Sequence, residues 1–123
     1  RVERRVRLGN LFPQRDYIDV RDAAEGFRRL AAVAARENSD GPTVSNLGTG
    51  RSYAVREVVE KIGASANVEL EIVQDADRVR ANDRPRLCAS TQMLKAVTGW
   101  SPTINIADSM LAAWNSRKAD GFA

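Results

Sequence analysis

The chain has no histidine, a single cysteine and few aromatic residues. Without imidazole, it can supply neither a histidine base nor a zinc–histidine site. One thiol, Cys88, cannot close an internal disulfide, so a reducing compartment is allowed. No apolar run approaches the ~18 residues that span a bilayer, and no charged-then-apolar leader opens the sequence. The expectation is a cytoplasmic chain with no membrane partner. The first residue is Arg1 rather than Met, which fits a processed product or an excised piece. Lysine is scarce too, so the basic side chains are nearly all arginine.

At 123 residues the chain has room for one domain with one modest core. A hydrophobic share of 43% and a charged share of 28% fit an ordered globular domain and argue against disorder. The net charge is +3. Arg1, Arg4, Arg5 and Arg7 form one basic cluster, and Arg78, Arg80, Arg84 and Arg86 form another. A guanidinium offers a planar fork of donors that fits phosphate bidentately, which an ammonium cannot do. Two such clusters suggest an anionic partner, although solvated arginine faces account for the same composition. A basic nucleic-acid-binding module is one rival reading. Against it, no helix pattern carries a basic stripe interleaved with aromatics, and only 6% of residues are aromatic.

Residues 16–20 (DYIDV) read as a short strand, followed by a helix to about Arg36 with Ala24, Phe27, Leu30, Ala31 and Ala34 on one face. Turn chemistry marks residues 38–42 as a loop. Residues 43–47 (TVSNL) read as a second strand ending in Gly48-Thr49-Gly50. A helix from about Ala54 to Ile62 places Val55, Val58, Val59 and Ile62 inward, with Gly63 as its stop. Residues 68–73 alternate as a strand. An arginine-rich loop runs from Asp75 to about Pro85. Ser90 is positioned to cap a short helix over 91–98 that Gly99 closes, and a last helix aligns Ile106, Met110, Leu111 and Trp114. Trp100 and Trp114 read as packing residues, and Cys88 as a small buried one. The class is α/β, with short strands and about four helices. Residues 1–118 are read as one domain and 119–123 as a frayed tail.

Several motifs in this order resemble a known family. Leu8-Gly9-Asn10-Leu11, followed by Arg15-Asp16-Tyr17-Ile18-Asp19-Val20-Arg21-Asp22, resembles the start of the carboxy-terminal region in extended short-chain dehydrogenase/reductases. Val44-Ser45-Asn46-Leu47-Gly48-Thr49-Gly50 with Val55-Arg56-Glu57-Val58-Val59 is similar to that family's strand, glycine turn and helix. Arg80-Ala81-Asn82-Asp83-Arg84-Pro85 looks like its substrate-binding arginine loop, and Gly99-Trp100-Ser101-Pro102 like its Gly-Trp-x-Pro turn. The Gly-Asn-Leu version resembles the GDP-mannose 4,6-dehydratase group and its reductase relatives. The match runs from Leu8 to Trp114.

The resemblance implies the substrate-binding portion of an NAD(P)-dependent sugar-nucleotide dehydratase or epimerase, with the dinucleotide-binding Rossmann half missing. It implies that Arg15 and Arg80 bind the diphosphate of a nucleotide sugar, GDP-sugars favoured, and that Asp83 binds the ribose hydroxyls. Asn10 would shape the nucleobase pocket. A diphosphate is met by fixed cations from several directions, and a diol by a carboxylate, so the residue chemistry agrees. A local Arg15–Asp16 ion pair and a solvated 78–86 loop remain the alternatives from the residues alone. NAD or NADP would serve the full-length enzyme, a homo-oligomer by the same resemblance, with none bound by this chain. No catalytic residue is expected here: Tyr17 and Tyr53 are followed four positions on by Arg21 and Glu57, so no Tyr-x-x-x-Lys pair exists. Gly48-Thr49-Gly50 lacks the third glycine and later acid of a dinucleotide fingerprint and reads as a tight turn. The departures from the family pattern are Ser90 in place of an aspartate, Ala54 in place of a serine cap and Gln14 in place of a lysine. A stand-alone, non-catalytic nucleotide-binding domain is the third reading. The resemblance further implies that both central helices show apolar surface without a partner in this chain, and that the chain alone is inactive.

Overall fold

The computed structural model describes residues 4–36 and 44–119. In chain order the elements are β1 (Arg5–Leu8), β2 (Gln14–Asp16), α1 (Val20–Ala34), β3 (Ser52–Ala54), α2 (Val55–Ala66), β4 (Glu71–Gln74), a 3-10 turn (Ala76–Arg78), β5 (Arg86–Leu87), α3 (Gln92–Thr98) and α4 (Ile106–Ala119). The strands form two small sheets. β1 and β4 pair in parallel, with Val6 opposite Ile72. β2 lies between β3, antiparallel to it, and β5, parallel to it. The α/β class and the four α-helices among the described residues agree with the sequence reading.

Helix α1 begins one residue after Asp19, whose carboxylate accepts from the Arg21 amide at 2.9 Å and so satisfies an orphan donor of the first turn. Arg21 also clasps the same carboxylate with its guanidinium, which holds Asp19 well below the usual carboxylate range. Consequently Tyr17 to Asp19 belong to no strand, and the strand expected over 16–20 is instead the three residues ending at Asp16. Helix α2 starts without a side-chain acceptor, because Ala54 has none. Only the Glu57 half of the reciprocal cap forms, its carboxylate accepting from the Ala54 amide at 2.6 Å. The helix also runs through Gly63. Asn67 ends it instead, in the left-handed region at φ 53°.

Other boundaries shift for similar local reasons. Val44 to Leu47 form no strand among the described residues, and Thr43 and the 38–42 loop lie outside them. The strand in this region is β3, held by its antiparallel pairing with β2. The strand expected over 68–73 starts at Glu71, where β1 provides a partner. Thr91, not Ser90, precedes α3, and it makes no side-chain capping bond. Gly99 does close that helix, at φ 67°.

The core is thin. Leu11, Val58, Leu94 and Ile106 are its buried apolar residues, with α2 packed on α4 and α1 on α3. The apolar face of α2 is therefore covered inside this chain, contrary to the expectation of an unpartnered surface. On α1 the expectation holds. Ala24, Phe27, Ala31 and Ala34 are exposed, Phe27 at 65% and the leading Val20 at 78%. The buried face of α1 carries Asp22 and Gly26 instead. Asp22 accepts from the Thr103 and Ile104 amides at 2.9 and 2.7 Å, tying α1 to the segment that leads into α4. Trp100 packs against Gly26 and lies under the Arg29 guanidinium, as a packing residue should. Trp114 is more open, at 36% exposure, and Cys88 is exposed rather than buried. Among the described residues no helix is long and apolar enough to cross a membrane.

Candidate functional site

Arg15 is the middle residue of the middle strand of its sheet, so its guanidinium is delivered from a backbone fixed on both edges. Nη1 donates to the Gln14 carbonyl at 2.8 Å and to the Arg84 carbonyl at 2.9 Å. Nη2 donates to Oδ1 of Asp83 in an ion pair. Asp16 takes no part. A local Arg15–Asp16 pair is thereby excluded as the role of this arginine, and the 83–85 loop is fastened to β2 rather than left in solvent. Backbone pairing adds to this, the Gln14 amide donating to the Pro85 carbonyl at 2.8 Å.

Asn10 approaches the same loop from the end of β1. Its Nδ2 donates to the Arg80 carbonyl and to Oδ2 of Asp83, each at 3.1 Å. The close approach depends on Gly9, where an added Cβ would lie 2.2 Å from the Arg78 carbonyl oxygen. Asn10, Arg15, Asp83 and the Arg80 backbone, all singled out from the sequence, thus meet at one place. Arg80 and Arg84 are exposed, and neither guanidinium is engaged by another described residue. The site therefore combines one braced arginine and one carboxylate, beside two exposed arginines whose guanidinium groups no other described residue engages, which suits an anion carrying hydroxyl groups nearby. Among the described residues no cluster of three or more acidic or thiol groups is arranged to hold a metal ion.

The glycine turn has a different function from the one its sequence suggests to a dinucleotide search. Asp16 accepts from the Thr49 amide at 2.9 Å, the Thr49 hydroxyl at 2.5 Å, the Gly50 amide at 2.9 Å and the Ala89 amide at 3.2 Å. Burial pushes its carboxyl upward, yet these bonds outweigh burial and hold it below the ordinary aspartate value. The amides that would cradle a pyrophosphate are thus directed at a side chain of the chain itself. At Gly48 an added Cβ would meet Ala89 Cβ at 2.5 Å and Asp16 Oδ2 at 2.8 Å, leaving no space for a phosphate to approach. The Gly48-Thr49-Gly50 turn therefore does not fit the pyrophosphate of a nicotinamide dinucleotide. Sequence reasoning found the turn but not the Asp16 hub, since nothing in the spacing of Asp16 and Ala89 signals their contact.

A second feature was also missed. Tyr53 stands directly across from Arg15 in the sheet, so the two share a face. Tyr53 lines an open cleft of about 300 Å³ with Tyr17, Thr49, Arg51 and Ile104.

Comparison with known proteins decides the family. The family model described as GDP-mannose 4,6 dehydratase matches residues 2–112. The chain belongs to the GDP-mannose 4,6 dehydratase family. Within this family's wider group it is 34% identical to the GDP-6-deoxy-D-mannose reductase of Pseudomonas aeruginosa, over 92% of this chain and 36% of the reductase. It is 35% identical to a UDP-glucose 4-epimerase of Neisseria meningitidis, over 88% of this chain and 31% of the epimerase. The structure of RMD from Pseudomonas aeruginosa, solved with NADPH, superposes with a TM-score of 0.76 at 33% identity, over 93% of this chain and 37% of that one. The Bifidobacterium longum UDP-glucose 4-epimerase, solved with NAD+ and UDP, gives 0.81 at 25% identity, over 95% and 36%. The GDP-mannose 4,6 dehydratase family chain described here thus spans about a third of the length of these relatives. Its architecture is that of the carboxy-terminal portion of an extended short-chain dehydrogenase/reductase.

Proposed function

We propose that this chain is the substrate-holding part of an NAD(P)-dependent sugar-nucleotide dehydratase, epimerase or reductase, and that it grips a nucleotide sugar by its diphosphate. The observation that carries the reading is the convergence of Asn10, Arg15, Asp83 and the Arg80 backbone at one place, with the Arg80 and Arg84 guanidinium groups engaged by no other described residue. Arg80 supplies the mobile cation for the diphosphate, Arg15 the fixed one, and Asp83 accepts from ribose hydroxyls. The family description favours a GDP-sugar. In the complete enzyme, hydride would pass between the sugar C4 and the nicotinamide, towards the cofactor in an oxidising first step and towards the sugar in a reduction, and residues outside this chain would supply the acid, the base and the cofactor site. Grip on the remote nucleotide orients the reacting carbon and contributes to catalysis only through that positioning. The exposed stripe of Val20, Ala24, Phe27 and Ala31 on α1 is the face we assign to the dinucleotide-binding domain.

The test is a titration of the chain with GDP-mannose, UDP-glucose and a short DNA duplex at two salt concentrations. Saturable binding of a nucleotide sugar, with Arg80→Ala weakening it by at least about 1.5 kcal/mol, supports the reading. DNA binding with a steep salt slope and no nucleotide-sugar binding refutes it.

A further inference from the structure

Asp83 is held by two donors, one on each oxygen: Arg15 on Oδ1 and Asn10 on Oδ2. An ionised carboxylate has about four lone-pair positions, so roughly one per oxygen remains. The Asp83 side chain is 24% exposed, enough for a ligand to reach those positions. With a donor on each oxygen, the plane of the carboxylate is set by two partners, and each oxygen keeps an acceptor position for a ligand. That arrangement matches two adjacent hydroxyls, each donating to one oxygen. A single hydroxyl satisfies only half of it.

Asn10 is the less obvious partner. Both of its Nδ2 protons are used inside the protein, on a carbonyl and on a carboxylate, and both acceptors require the NH2 end to face them. Only its Oδ1 is left for a ligand, which makes the resemblance-derived role in a nucleobase pocket secondary. The same amide holds two points of the loop, the backbone of Arg80 and the side chain of Asp83. Gly9 lets the loop come close enough for this, through its contact with the Arg78 carbonyl.

We infer that Asn10 is a positioning residue that, by orienting the Asp83 carboxylate, makes the site select a vicinal diol and so discriminate ribonucleotides from 2′-deoxyribonucleotides. The inference rests on the nucleotide-sugar reading above. It adds to that reading a residue acting through another and a selectivity that follows from it.

The experiment is calorimetric titration of the chain with GDP against 2′-deoxy-GDP, and UDP against 2′-deoxy-UDP. The wild-type chain should prefer the ribonucleotide by about tenfold, the scale of one hydrogen bond to a charged group. In Asn10→Ala the ribonucleotide should weaken about tenfold while the deoxynucleotide stays within about threefold, a split that general loosening of the loop would not give. Gly9→Ala, which displaces the loop without touching either donor, should narrow the preference in the same direction. Discrimination lost in Asp83→Ala but kept in both Asn10→Ala and Gly9→Ala overturns the role of Asn10 alone. Discrimination that survives Asp83→Ala overturns the diol assignment. If no nucleotide binds the wild-type chain, the nucleotide-sugar reading itself falls, and this inference falls with it.

Discussion

Replacing Asp16 by asparagine removes one negative charge and turns one acceptor atom into a donor. In the native chain Oδ2 faces the Gly50 and Ala89 amides, at 2.9 and 3.2 Å, and Oδ1 faces the Thr49 amide and hydroxyl. An asparagine oxygen can keep one of these sets. Its NH2 group must then face the other, leaving two donors opposed by a donor. These donors are part-buried or exposed, so each lost bond is worth about 0.5–1.5 kcal/mol net, and the substitution should cost about 1.5 kcal/mol. Thr49 and Gly50 precede β3 while Ala89 follows β5, so the loss detaches both flanks of β2 together. With a urea slope of roughly 1.5 kcal/mol/M for a domain of this size, the midpoint should fall by about 1 M. Tryptophan fluorescence of Trp100 during urea unfolding at pH 7 reads the shift. Thr49→Ala, which removes only the hydroxyl donor, should cost about 1 kcal/mol in the same assay. An Asp16→Asn midpoint within about 0.3 M of wild type would refute the assignment of Asp16 as the hub of this sheet.

The remaining expectations use other parts of the molecule. Asp22→Ala leaves the Thr103 and Ile104 amides without their acceptor and should destabilise the chain by about 2 kcal/mol in the same denaturation assay. Stability should be flat above about pH 5 and fall below about pH 4, because Asp16, Asp19 and Glu25 all titrate below their ordinary values. The sign follows from depressed carboxylates: their stabilisation is present above the unfolded pKa and is lost as pH falls through the folded one. A midpoint that rises on acidification to pH 3 contradicts it. The exposed α1 stripe should make the isolated chain self-associate, and Phe27→Glu on that stripe should reduce this in sedimentation velocity while leaving the unfolding free energy within about 0.5 kcal/mol of wild type. The chain supplied with NAD(P) and a nucleotide sugar should show no turnover by nicotinamide absorbance, since no Tyr-x-x-x-Lys pair is present.

Helices were legible in this sequence because their signals are local. The apolar spacing of α1, the Val55 to Ile62 periodicity and the Gly99 stop each act within one or two turns, whereas the Asp19 cap came to light only in the structure. Strands were less so. β2, β3 and β5 are two or three residues long, and each exists because of a neighbour distant in sequence, which no alternation over three residues can reveal. The strand expected around Val44 fails for the same reason, having no strand partner among the described residues. On α1 the apolar positions were identified correctly, but only the structure shows that they point away from Asp22 and Gly26. Arg15, Arg80, Asp83 and Asn10 were visible as residue types in recognisable motifs. That Arg15 braces the loop, and that Asn10 holds Asp83, depends on distances that the motifs do not encode.

The account stands on nucleotide binding at the meeting point of the Asn10 turn, the Arg15 strand and the 80–85 loop. The most direct measurement is amide chemical-shift mapping of the labelled chain during titration with GDP and with UDP. The account predicts saturable shifts concentrated at Asn10, Arg15 and residues 80–84, absent in Arg80→Ala at the same nucleotide concentration. Shifts confined to α1 or α4, or none at millimolar nucleotide, would contradict it.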